Sequence, residues 1–129
     1  MKLHVIQGYI QAIYLAEYAN KLLLLDGCCK ADVPLVIQFI EQDLKRDRTA
    51  LKLVTVTHMH PDHAGGAHQL RRLTQCQIAC GNVAGQWYSG VDGHLMHWTD
   101  MALTRWVAKR QGKPAKNVWY SPKLKPDIK

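Results

Sequence analysis

The chain reads as an α/β fold, α+β-like in its order of elements: a β-meander, then a βαβα run, then one extra helix. Three observations predict it. Strand-like runs separated by turn residues fill the segment before Gly27, an apolar stripe of helical period follows Asp32, and the run Leu51-Lys52-Leu53-Val54-Thr55-Val56-Thr57 stops abruptly at a cluster of histidines.

The first strands are expected over 2–6, 9–18 and 21–26, the last two separated by Ala19-Asn20. Asp32 is placed to cap a helix in which Val33, Val36, Ile37, Ile40 and Leu44 keep the i, i+3, i+4, i+7, i+11 spacing, with Pro34 tolerated in the first turn. This helix lays one face on the sheet. A charged connection over 46–49 leads to the strand over 51–57, apolar enough to be covered on both faces. Gly65 and Gly66 then permit a close-packed start to a second helix, with Ala67, Leu70, Leu73 and Thr74 inward and Arg71 and Arg72 toward water. A short strand over 77–80 comes next. Leu95, Trp98, Ala102 and Trp106 recur at helical spacing, so the extra helix is expected over 92–111, its apolar side broadened by Met101 and Val107.

The strand over 51–57 delivers Thr57-His58-Met59-His60-Pro61-Asp62-His63-Ala64-Gly65-Gly66, three imidazoles and a carboxylate within six positions. Imidazole nitrogen and carboxylate oxygen are the donors that zinc takes, with one position left open in catalytic sites. His58 and His60 stand at i and i+2, so in extended backbone both reach one side and can grip one ion. Pro61 disfavours helix at His60, and Asp62 and His63 follow the turn and can aim at a second, adjacent ion. The plain alternative is a histidine-rich loop without metal. An end-of-strand position suits a site, because loops at that edge of an open α/β sheet converge on a crevice.

The pattern Thr-His-x-His-x-Asp-His-x-Gly-Gly resembles the signature of the metallo-β-lactamase superfamily of hydrolases. The resemblance covers about residues 1–80 and implies the N-terminal half of that family's αββα sandwich. It implies that His58 and His60 help hold a first metal and that Asp62 and His63 help hold a second. A water or hydroxide between the metals would be the nucleophile, with Asp62 counted among the catalytic groups. The implied ion is zinc, one or two per chain, with iron or manganese as substitutes. Leu22-Leu23-Leu24-Leu25-Asp26-Gly27 is similar to a strand end of the family, so Asp26 would orient a ligand or the metal's water without binding directly. Its alternative is a turn-forming Asp-Gly pair. The family site also needs a further His, a bridging Asp and a last His, and nothing after His63 reproduces them. Gly93-His94 faintly resembles the third-ligand motif, yet the following residues are helical in pattern; His94 and His97 are left outside the main site.

A length of 129 residues is one modest domain. It divides into a partial domain over 1–111, containing the extra helix at 92–111, and a basic connector or tail over 112–129 with Pro114, Pro122 and Pro126 among lysines. Truncation is the expectation, with a missing half following the tail. The net charge of +7 is concentrated: residues 1–108 hold ten Lys or Arg against nine Asp or Glu, and the last 21 hold seven against one. The basic excess belongs to a solvated extension, so nucleic acid is not the expected partner, although Lys109, Arg110, Lys113 and Lys116 would contact phosphate if the tail folded back. No apolar run approaches a membrane span, and no secretion signal opens the chain, so no membrane partner and a cytoplasmic location are expected. Cys28, Cys29, Cys76 and Cys80 form no Cys-x-x-Cys pair; they are expected as reduced thiols, Cys76 and Cys80 as small hydrophobes beside a strand, while a place for Cys28 or Cys29 at the border of the metal pocket is open but not expected.

The tryptophans of the extra helix are expected in the core or an interface. The alternative makes that helix a lid, with Trp87, Tyr88, Trp98 and Trp106 lining an apolar pocket for an acyl substrate. The sequence thus points to a metal-dependent hydrolase of ester, thioester, lactone or amide bonds in small molecules. Two alternatives stand beside it: a noncatalytic metal-binding or interaction module, and a metal-dependent nuclease. A half-fold would also leave apolar faces uncovered, which predicts a homodimer or pairing with a missing C-terminal half.

Overall fold

In a computed structural model the protein is described over residues 1–57, 61–80, 90–113 and 126–128, with backbone alone at 61, 62, 90–94, 96, 97 and 100. Five strands form one mixed sheet in the order β1 (Lys2–Gln7), β2 (Ala12–Glu17), β3 (Leu22–Leu25), β4 (Leu51–Val56), β5 (Gln77–Cys80). The first three make an antiparallel meander; β4 and β5 add in parallel to β3. The expected second strand is thus shorter at its start, because Gly8 through Gln11 form a tight turn closed by the Gly8 N–H donating to the Gln11 carbonyl at 2.9 Å.

Strand alternation divides the side chains into two layers. Ile6, Ile13, Leu15, Leu22, Leu24, Leu51, Val54 and Ile78 point into a core that α1 (Val33–Gln38) and α3 (Ala67–Thr74) cover with Val33, Val36, Ile37, Ala67 and Leu70. On the opposite face the strands offer Leu3, Val5, Ala12, Tyr14, Ala16, Leu23, Leu25, Leu53, Thr55, Gln77 and Ala79, with no charged residue. Val5, Tyr14 and Leu25 stand in register across β1, β2 and β3 and are all exposed. An uncharged sheet face left open to solvent is the surface expected of an inner layer.

The helix after β3 forms with its apolar stripe inward, but it passes at Phe39–Asp43 into a π-helical turn. Asp32 occupies the N-cap position without capping: its buried carboxylate accepts the Tyr9 N–H at 2.8 and 3.0 Å instead. The expected cap is therefore corrected to a tie between α1 and the β1–β2 turn. Lys113, just past α4 (Gly90–Arg110), donates its ammonium to the carbonyls of Tyr9 and, at 3.4 Å, Gly8, securing the end of that helix to the same turn.

Two further expectations are corrected. Arg71 is half-buried and pairs with Asp127 at 3.4 Å. Asp127 and Ile128 return to the edge of β5, where the Ile128 carbonyl accepts the Cys80 N–H and Asp127 accepts the Ile78 N–H through Oδ2. The end of the expected tail thus covers part of the sheet's outer edge, and backbone groups that an open edge would expose are satisfied.

Leu24 is fully buried, whereas Val5 is half-exposed on the open face. Leu24→Ala should cost about 2–5 kcal/mol in urea-induced unfolding, while Val5→Thr should change stability by no more than about 0.5 kcal/mol. Similar losses for both would mean that the open face is covered in solution.

Candidate metal centre

The parallel pairing of β3 with β4 brings the ends of both strands to one edge of the sheet, so Asp26 and Thr57 become neighbours although 31 positions apart. Asp26 and Gly27 have φ of 63° and 62°, two successive left-handed residues that turn the chain sharply after β3. Asp tolerates this conformation better than most residues, and Gly has no steric objection to it. The turn itself is pinned to β4, because the Asp26 N–H donates to Thr55 Oγ1 at 3.0 Å.

The Asp26 carboxylate is used on both oxygens. Oδ1 accepts the Thr57 hydroxyl at 2.6 Å and the Thr57 N–H at 3.0 Å, and Oδ2 lies 2.8 Å from His63 Nδ1. Asp26 thus forms the turn after β3 and at the same time holds Thr57 and His63 through its carboxylate. Thr57, which the sequence reading quoted only as part of the motif, is the clamp that aims the carboxylate. The signal for it was a hydroxyl residue closing an otherwise apolar parallel strand beside an Asp-Gly end.

His63 sits in α2 (Pro61–Ala64), a single turn that begins on Pro61, whose missing N–H is no loss at the first helical position. With its Nδ1 on a carboxylate, a neutral ring carries its proton on that nitrogen, the arrangement in which metal-binding histidines are commonly held. The His63 carbonyl lies against Gly27: a Cβ built on Gly27 would stand 1.9 Å from that oxygen. Gly66 closes on Cys28 in the same manner. Its N–H donates to the Cys28 carbonyl at 2.8 Å, and an added Cβ would meet Cys28 Sγ and Val33 Cγ2, each at 2.8 Å. The close-packed helix start expected from the glycine pair is found at Gly66.

Of the four expected ligands, His63 is brought to Asp26 as described, and the backbone of Asp62 lies in α2. His58 and His60, the side chain of Asp62, the side chains of His94 and His97, and Trp87 and Tyr88 fall outside the described residues. Among the described residues no group of three or more His, Cys, Asp or Glu is gathered as for a metal ion. Cys28 and Cys29 are buried free thiols. Burial, then the charge of Asp32 and the neighbouring Cys29, pushes the Cys28 thiol well up, so it stays protonated and serves as packing behind the site. Cys76 and Cys80 are buried and free, as expected of small hydrophobes. The chemistry of the donor set, imidazole with carboxylate, and the seating of His63 fit a divalent ion of zinc's kind.

The model of the metallo-beta-lactamase superfamily matches residues 6–118. Among solved structures the chain is similar to a metallo-beta-lactamase of Cronobacter sakazakii, at 17% identity over 67% of this chain and 33% of that one, with a TM-score of 0.60. It is similar to a subclass B3 metallo-beta-lactamase isolated from a soil metagenome library, at 26% identity over 67% and 31% of the two chains, with a TM-score of 0.56. A metallo-beta-lactamase of Novosphingobium pentaromativorans gives 30% identity over 60% and 28%, with a TM-score of 0.53. The chain therefore spans about a third of the length of the solved structures it matches. No curated protein sequence matches it.

Gly27→Ala should move the His63 carbonyl and strain a left-handed residue, for a loss of at least about 1–3 kcal/mol in urea unfolding. A variant as stable as the parent would show that the β3 turn and α2 do not meet this closely.

Proposed function

Since the chain belongs to the metallo-beta-lactamase superfamily, we propose that it is a metal-dependent hydrolase, with zinc as its ion and a small ester, thioester, lactone or amide as its substrate. The observation that supports this reading is the 2.8 Å contact between Asp26 and His63, which fixes a histidine of the motif on a carboxylate at the carboxyl edge of the sheet. His58 and His60 would hold a first ion, and Asp62 and His63 a second. A divalent ion held there supplies Lewis-acid polarisation of the acyl group and lowers the pKa of a water to about 7. Asp26 and Thr57 keep His63 in one tautomer and one orientation, so the donor waits in place and no ordering is required when the ion arrives.

Four donors from six consecutive residues do not complete two metal shells, so activity is assigned to this chain together with further ligands from the remainder of the fold or from a second copy. The uncharged outer face of the sheet supports such a second layer. A noncatalytic metal-binding module is the second reading, and the same shortage of donors favours it.

Metal per chain, read by elemental analysis of the purified protein, tests the proposal before any substrate is chosen. Replacing His58 and His60 together with Ala should abolish uptake of zinc, and unchanged zinc content in that double variant would sink the assignment. Asp26→Asn removes the acceptor that fixes His63 and should weaken zinc binding by about 10–100-fold in a competition titration. An affinity equal to that of the parent would mean that Asp26 is a turn residue only.

A further inference from the structure

α4 has two apolar sides, and the core uses only one of them. Met101, Thr104 and Ala108 are buried, whereas Leu95, Trp98, Ala102 and Trp106, spaced by three, four and four residues, lie on the exposed side. Trp98 is 70% exposed and Trp106 53%, with Leu95 at 68% and Leu103 at 54%. The tryptophans, expected in the core or an interface, face outward, and Met101, Thr104 and Ala108 take the inward positions. From Leu95 to Trp106 this stripe runs about 16 Å along the axis.

Cations share the same side. Arg105, Lys109 and Arg110 are exposed among the tryptophans and leucines, and the Arg110 guanidinium stands 4.9 Å from the centre of the Trp106 ring. The two acids of α4, Asp92 and Asp100, have side chains outside the described residues, and from Met101 to Arg110 the helix carries cations alone. The one acid of the last 21 residues, Asp127, is spent on Arg71 and on the Ile78 N–H.

We propose that this face of α4 docks on the headgroup region of an anionic phospholipid bilayer. Indole rings settle at the level of the headgroups, leucines reach below them, and arginine and lysine at the same level meet lipid phosphate and carboxylate. Charge argues against the other occupants of an apolar helix face. A second copy laid on this face would set cation against cation, and a neutral partner would leave three cations unanswered. A single nucleic-acid strand also stacks on Trp and Arg, but the aliphatic Leu95 and Leu103 beside the tryptophans give bases nothing to hydrogen-bond. No helix among the described residues is long and apolar enough to cross a membrane, so the contact is one of docking along the surface.

The test is sedimentation of the full chain with large vesicles of phosphatidylcholine, with and without phosphatidylserine, at low and high salt, alongside Trp emission. The expected result is binding to the anionic vesicles with a blue shift, reversed by salt, and weakened on the order of tenfold or more by Arg105→Glu with Lys109→Glu. Trp98→Ser with Trp106→Ser should weaken it comparably, and Lys123→Gln with Lys125→Gln should retain it. Unchanged circular dichroism and urea midpoint show that each variant is folded; if the tryptophan variant is not, the charge variant decides alone. Equal binding to neutral vesicles, indifference to the α4 substitutions, capture of an oligonucleotide or acidic peptide in place of vesicles, or a dimer that buries Trp98 would each overturn the proposal.

Discussion

The Asp26 carboxylate is the point on which the site depends, because one side chain ties together three elements that have no other reason to agree. It closes the turn after β3, holds the last residue of the strand-end segment through Thr57, and orients the imidazole of α2 through His63. Two hydrogen bonds to a carboxylate at a parallel strand pair, each contributing about 1.5–3 kcal/mol at most, are modest in energy. Their value lies in direction. A side chain on a one-turn helix would otherwise swing with that helix. Parallel pairing is the upstream cause: had β3 and β4 run antiparallel, Asp26 and Thr57 would stand at opposite edges.

Much of this was legible in the residues. The strand order of the meander, the stripe of the helix after it, and the apolar strand ending at the histidines all follow from periodicity, and the same burial pattern decided them in the folded chain. What escaped was whatever depends on a second element being nearby. Asp32 has the sequence of an N-cap, but Tyr9 arrives from the β1–β2 turn with a buried N–H that needs an acceptor, and the carboxylate takes it on both oxygens. The tail has the composition of a solvated connector, yet two of its residues find the free edge of β5.

α4 shows the same limit more sharply. Its sequence offers apolar residues nearly all round, and a periodicity of 3.6 says only that one stripe is inward, not which. Large aromatic residues invite the assumption that they take the core. Here the buried positions of the helix go to Met101 and the small Thr104 and Ala108. That no helix among the described residues is long and apolar enough to span a membrane does not bear on a surface contact, which needs an exposed stripe and not a long one.

The open sheet face and the shortage of ligands have one cause. A sheet with an apolar core on one face and an uncharged surface on the other is built to lie between two layers, and a second layer laid on Leu3, Val5, Tyr14 and Leu25 would rise at the same edge where Asp26, Thr57 and His63 converge. Its own loops would then face the histidine motif from across the crevice. The two deficits therefore should be repaired together or not at all: whatever covers the face, whether further chain or a second copy, is also what stands close enough to donate the remaining ligands. A cover that buried the face without adding donors would leave a stable protein with an open metal site, and that outcome separates a binding module from an enzyme on structural grounds alone.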